Sequence, residues 1–178
     1  SLSASQSKMK WFPFNNGGDY RKWYGNNDCV VNWKDDGFEI RHNFGKNGKL
    51  ASRPQNTGFY FRESVTWSKI ATRKIAFRYK PKGHIFADAG LSLFSDDIQL
   101  LKRNMGLFNS CVAMEILRAI SPTINFEVGQ IASVPIIHDS RKNESVIHIV
   151  DENIFVSKQD WDSFENSWDF KEHPLVGY

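Results

Sequence analysis

Three short groupings in this 178-residue chain contain residue types that can do chemistry. Asp169-Phe170-Lys171 matches the acid-x-Lys triplet of many nucleases, His42-Asn43 has the composition of a nuclease loop, and Asp96-Asp97 offers paired carboxylates of the kind that hold Mg²⁺ through one or two oxygens. Each has a plainer reading. Such triplets arise by chance in most chains of this length, and Asp96-Asp97 falls at a strand-to-helix turn, where acids favour a helix N-terminus. Capping is therefore the expectation for that pair. No GxGxxG, P-loop or GxSxG string occurs, so no standard cradle for a dinucleotide or triphosphate is present. Cys29 and Cys111 are far apart without a CxxC pattern, and the five His are not at metal-ligand spacing. These features fit a reduced cytoplasmic protein without structural zinc.

Binding chemistry is written more strongly. Between Arg41 and Lys82 lie eleven of the 23 Lys/Arg and only one of the 20 acids, Glu63, so this stretch has a formal charge of +10 while the whole chain has +3. Phe59, Tyr60, Phe61, Trp67, Phe77 and Tyr79 interleave with the charges, as do Asn43, Gln55, Asn56 and Thr66. That mixture suits a surface that holds phosphates and inspects bases. The solvated face of any antiparallel sheet also alternates charges with aromatics, but it normally mixes both signs. Nucleic acid is the expected partner. Arg53, Gln55, Asn56, Arg62, Thr66, Trp67 and Lys69 form the expected DNA-facing set, with Arg73, Lys74, Arg78 and Lys82 as phosphate clamps. Lys and Arg suit phosphates or guanine edges, and Asn and Gln suit adenine. A lone Trp in a strand is also an ordinary core residue, and Arg53 beside Pro54 can serve to fix a loop.

The elements that must position these groups are strands first and helices later. Turn signals at Asn15-Asn16-Gly17-Gly18, Gly25-Asn26-Asn27 and Asp35-Asp36-Gly37 separate short aromatic segments, with Cys29–Trp33 and Phe38–His42 as hairpin arms. From Thr57 a period of two sets Phe59 and Phe61 against Tyr60 and Arg62, then Ile75, Phe77 and Tyr79 against Lys74, Arg78 and Lys80. His84–Phe94 reads as a further strand, in which Gly90 marks a bulge or a close backbone approach. Met105, Phe108, Val112, Ile116 and Ile120 then define one amphipathic helix ended by Pro122, followed by a short helix at Phe126–Ala132. An acidic tail holds a helix near Glu144–Phe155, pinned by Trp161, Phe164, Trp168 and Phe170. The fold expected is α+β, a β-rich recognition domain with C-terminal helices packed on it. Residues 1–9 read as a flexible leader, 10–137 as the domain, and 138–178 as an acidic extension. No run approaches the length of a membrane span.

Four strings extend the reading: KWFPFNNGGDYRKWYGNNDCVVNW, RPQNTGFYFRESVTWSKI, GLFNSCVAMEILRAISPTINFEVGQIASVPI and SKQDWDSFENSWDF. In this order, from Lys10 to Leu175, the chain resembles the C-terminal target-recognition region of the adenine-specific DNA methyltransferases of bacterial BREX phage-resistance systems. It is more distantly similar to the specificity modules of type I and type IIG restriction-modification systems. The resemblance implies a module that chooses the duplex DNA sequence while a catalytic domain of the same parent chain flips the adenine and transfers the methyl group. It also implies S-adenosylmethionine for the parent, possible contacts with other phage-defence proteins, and no cofactor or catalysis in this segment, where the Gly-rich cofactor loop and the NPPY-type motif are missing. A type I specificity subunit, or a single-strand or RNA-binding module that stacks bases on aromatics, is the alternative.

Overall fold

The computed structural model describes residues 4–72, 74–136 and 143–176. The architecture is α+β. One sheet runs in the order β2-β1-β5, with β1 (Trp11–Asn15) antiparallel to β2 (Val30–Asn32) and parallel to β5 (Ile85–Phe86). The other is antiparallel, with β3 (Ser64–Ser68) between β4 (Arg78–Lys80) and β6 (Gly90–Leu93). Helical segments are α1 (Ala4–Ser7), α2 (Lys34–Arg41), α3 (Ile98–Phe108), α4 (Cys111–Ile120), α5 (Val128–Ala132) and α6 (Asn143–Asp162). No described helix is long and apolar enough to cross a membrane.

The larger core lies between the second sheet and the helices, where Val65, Trp67 and Phe77 meet Leu101, Met105, Phe108, Leu117 and Val150. Val150 belongs to α6, so the tail helix is built into this core. It runs past the expected Phe155 to Asp162, and of its four expected aromatic pins only Trp161 is buried, while Phe164 and Trp168 are about half exposed. The smaller core gathers Phe12, Trp33, Tyr60 and Ile85, and Ala4 of the expected leader packs there too.

Asn15 joins the two sheets. Its amide donates to Thr66 Oγ1 at 2.6 Å and to Gly90 O at 2.9 Å, and it is fully buried. A Cβ on Gly90 would lie 2.5 Å from Asn15 O, so the close approach expected at this glycine is present and only glycine permits it.

Four local expectations fail, each for a physical reason. His84–Phe94 is not one strand but β5 and β6 in different sheets, because Ala87 N donates to Asn15 O at 3.1 Å and Gly90 N to Ala87 O at 3.1 Å, a turn that carries the chain from one sheet to the other. Phe38–His42 is helical: Asp35, Asp36 and Gly37 all have positive φ, and this left-handed turn feeds a right-handed one closed by His42 N donating to Phe38 O at 3.1 Å. The single helix expected from Met105 to Ile120 is two. Asn109 turns aside to pair with Phe77, accepting from its N–H at 3.1 Å and donating to its carbonyl at 2.9 Å, and the Ser110 hydroxyl caps α4. The period-two run does not form a strand before Ser64; Thr57–Phe59 is a 3₁₀ turn entered through left-handed Asn56. The short helix near Phe126–Ala132 forms as α5, and Asp97 caps α3 by accepting from the N–H groups of Gln99 and Leu100.

Candidate nucleic-acid interface

The basic run does not present one charged face. β3 and β4 are covered on both sides, because the segment from Gly18 to Asn27 folds over the side opposite the helices and extends β4 through Trp23, whose N–H donates to Phe77 O and whose carbonyl accepts from Tyr79 N. Charged side chains on that side therefore point into protein. Arg78, expected as a phosphate clamp, is 1% exposed and donates to Arg21 O at 3.3 Å and Ser68 Oγ at 3.0 Å. Burial alone lowers its pKa to about 10. Lys80 is equally buried, and its ammonium donates to Gly25 O, Asn26 O and Asn27 Oδ1. Burial, helped by nearby Arg78, pushes it down to about 7.

Two more expected DNA-facing residues are interior. Thr66 is 0% exposed, with its hydroxyl donating to Leu91 O at 2.7 Å, and Trp67 is in the core with its indole N–H on Phe126 O at 2.8 Å. Of the remainder, Lys69 is held by Asp88 at 2.9 Å and Glu127 at 3.1 Å, hydrogen bonds that raise its pKa. Arg62 pairs with Asp96 at 2.6 Å and lies over the rings of Phe59 and Phe94. Lys82 faces Glu63 at 3.8 Å and is largely exposed, as is Lys74. Arg73 falls outside the described residues.

Within the basic run, the cations left in water without a carboxylate partner among the described residues are Arg41, Lys46, Lys49, Arg53 and Lys74. Four of these five, Arg41, Lys46, Lys49 and Arg53, fall within thirteen residues, from the end of α2 through the loop that follows it. A neck closes that loop: Ala51 N donates to Asn43 O at 2.8 Å, Gly45 N to Lys49 O at 2.8 Å, and Phe44 bridges Leu50. The Ser52 hydroxyl ties its outgoing arm to Ile40 O at 2.7 Å.

Beside the neck opens a cleft of about 710 Å³ whose lining includes Asn43, Ser52, Arg53, Gln55 and Asn56 together with Trp33, Tyr60 and Phe86. The structure thus brings together Arg53, Gln55 and Asn56, all exposed, at one opening. A smaller hollow of about 230 Å³ has Lys74 and Arg78 in its wall with Gly18 and Tyr20. Sequence spacing missed the aromatic wall of the larger cleft, because Phe14, Phe86 and Phe94 are contributed by segments outside the basic run.

The remaining chemistry candidates have ordinary roles. Asp169 pairs with Lys158 at 2.6 Å, and His42 stacks on Phe38 while its Nδ1 meets Phe38 O at 2.8 Å. Among the described residues no group of three or more His, Cys, Asp or Glu is placed to hold a metal, and both cysteines are free and exposed.

No family model matches the chain. It is 38% identical over 167 residues to the adenine-specific methyltransferase PglX of Lacticaseibacillus casei (strain Zhang), a match that covers 93% of the chain and 14% of that protein. It is 33% identical over 176 residues to the adenine-specific methyltransferase BrxX of Escherichia coli O9:H4 (strain HS), covering 98% of the chain and again 14% of the relative. Over nearly its whole length the chain is therefore homologous to one segment of adenine-specific methyltransferases, and it spans about one-seventh of the curated relatives it matches.

Proposed function

We propose that this chain is the part of a BREX-type adenine-specific DNA methyltransferase that selects the DNA sequence, gripping the duplex and presenting the target adenine to a catalytic domain elsewhere in the parent protein. That domain would bind S-adenosylmethionine. The observation that carries the reading is the cluster of exposed cations Arg41, Lys46, Lys49 and Arg53, none paired with a carboxylate among the described residues, beside a cleft rimmed by Gln55 and Asn56. Cations with no acid nearby meet phosphate without first losing an ion pair, and planar amides suit base edges.

In this reading Arg41, Lys46, Lys49 and Lys74 contact phosphates, and Arg53, Gln55 and Asn56 inspect bases. Arg62 and Lys82 join them when phosphate displaces Asp96 or Glu63, since exposed ion pairs contribute only about 0–1 kcal/mol. Thr66, Trp67 and Arg78 shape the scaffold. The test is duplex binding by the 178-residue chain across a salt series. Affinity should fall with salt, and Lys46→Glu with Lys49→Glu should flatten the dependence by about 0.9 log units per log salt for each phosphate no longer neutralised. A salt slope identical in the double variant would sink this placement of the interface.

A further inference from the structure

The cleft has walls that a stacked base pair does not need. Its lining holds a continuous run of rings: Trp33 to Tyr60 at 5.1 Å, Tyr60 to Phe86 at 5.1 Å, Phe86 to Phe94 at 5.4 Å, and Phe94 to Phe59 at 5.1 Å between centroids. A base inside a duplex offers only its edges, because its faces are covered by its neighbours. Ring walls are useful to a base whose face is free.

The geometry points to a binding site for a single unstacked nucleobase, held between the aromatic wall and the polar rim. The volume of about 710 Å³ is in the range of small-molecule sites and exceeds what one nucleoside needs. Asn43, Arg53, Gln55 and Asn56 line the opening, and none of their side chains has a hydrogen-bond partner among the described residues. Together they offer the donors and acceptors that a base edge requires. An apolar peptide would leave those four groups without a role. Lys46 and Lys49 stand on the loop that springs from Asn43 and returns at Ser52, both of them in the lining, so the strand's phosphates would pass next to the site. Arg62, lying over Phe59 and Phe94 and tied to Asp96, stiffens the outer end of the wall.

Extruding a paired base costs a few kcal/mol, so a base that is already unpaired should bind better. The inference rests on the DNA-recognition reading only for the polymer that delivers the base, and free nucleotide separates the two. Titrating the chain with the fluorescent monophosphate of 2-aminopurine deoxyriboside should give a saturable emission change, weakened at least tenfold by Phe59→Ala, which empties the wall, and by Ala87→Trp, which fills the cleft. Phe59 is 43% exposed, so its loss spares the core, and circular dichroism checks both folds. A duplex with one bulged 2-aminopurine should bind at least tenfold more tightly than its fully paired counterpart. No saturable change, or a change that neither variant weakens, overturns the inference, as does equal affinity for bulged and paired duplex. If the nucleotide does not bind and hydrogen exchange shows the cleft covered in the full-length parent, the rings belong to an interdomain contact and the inference also fails. Nucleotide binding without any duplex binding keeps the site and removes the DNA-recognition reading instead.

Discussion

The two ends of the basic run meet opposite fates. From Ser64 to Lys80 the described cations other than exposed Lys74 are drawn inward or matched: Arg78 and Lys80 donate to carbonyl oxygens of the segment from Gly18 to Asn27, and Lys69 is held by two carboxylates. From Arg41 to Arg53 every cation stays in water. The two ends are alike in composition and differ in what folds over them, an oxygen-rich loop in one case and nothing described in the other. Formal charge along a chain is thus a poor guide to surface charge wherever a sheet is covered on both faces.

Substitutions that break or sharpen this contrast can be ranked by their effect on stability. Phe77→Ala should be the most damaging, since Phe77 is fully buried, stacked on Phe108 at 5.0 Å and tilted against Trp67. A loss of about 3–5 kcal/mol in urea unfolding is expected.

Lys80→Met comes next, at about 1–3 kcal/mol at neutral pH, because the acceptors at Gly25, Asn26 and Asn27 lose their donor. It should also change the pH profile. With its folded pKa lowered to about 7, Lys80 is deprotonated in the native state at pH values where the unfolded chain still holds the proton. Stability should therefore rise from pH about 7 toward the ordinary lysine pKa of about 10.4, and the variant should flatten that rise. A wild-type profile already flat there would mean that the three oxygens keep the ammonium charged.

Asp96→Ala should cost under about 1 kcal/mol, since the carboxylate is almost fully exposed. It should strengthen duplex binding slightly by releasing Arg62. Smallest of all, the double change Lys46→Glu and Lys49→Glu should leave stability within about 0.5 kcal/mol while lowering affinity for every duplex alike. A stability loss as large as that of Lys80→Met would show the loop to be part of the folded frame.

Local patterns with one strong cause were legible in the sequence. The Asp97 cap, the helix ending before Pro122, the short helix near Ala132 and the close approach at Gly90 each follow from one or two residues. What the pattern hid depended on distant partners. Arg78 and Lys80 alternate like a solvated strand face and are buried because residues some fifty positions earlier supply oxygens. Asn109 splits a helix because Phe77 needs an edge partner. Of the candidate site, the Arg53, Gln55 and Asn56 group was visible as a polar string near a turn, whereas its aromatic wall is assembled from four separate stretches, at Phe14, Trp33, Phe59–Tyr60 and Phe86–Phe94.

The neck formed by Asn43 and Ala51 separates the tip of the basic loop from the frame beneath it. Lengthening or shortening that tip alters closure entropy only slowly, by about 0.6 kcal/mol for each doubling of loop length. Insertions, deletions and charge changes between Phe44 and Leu50 are consequently tolerated without disturbing either core. A lineage can therefore vary the length and charge of this tip while keeping the same scaffold, and this is the segment where sequence variation should accumulate first.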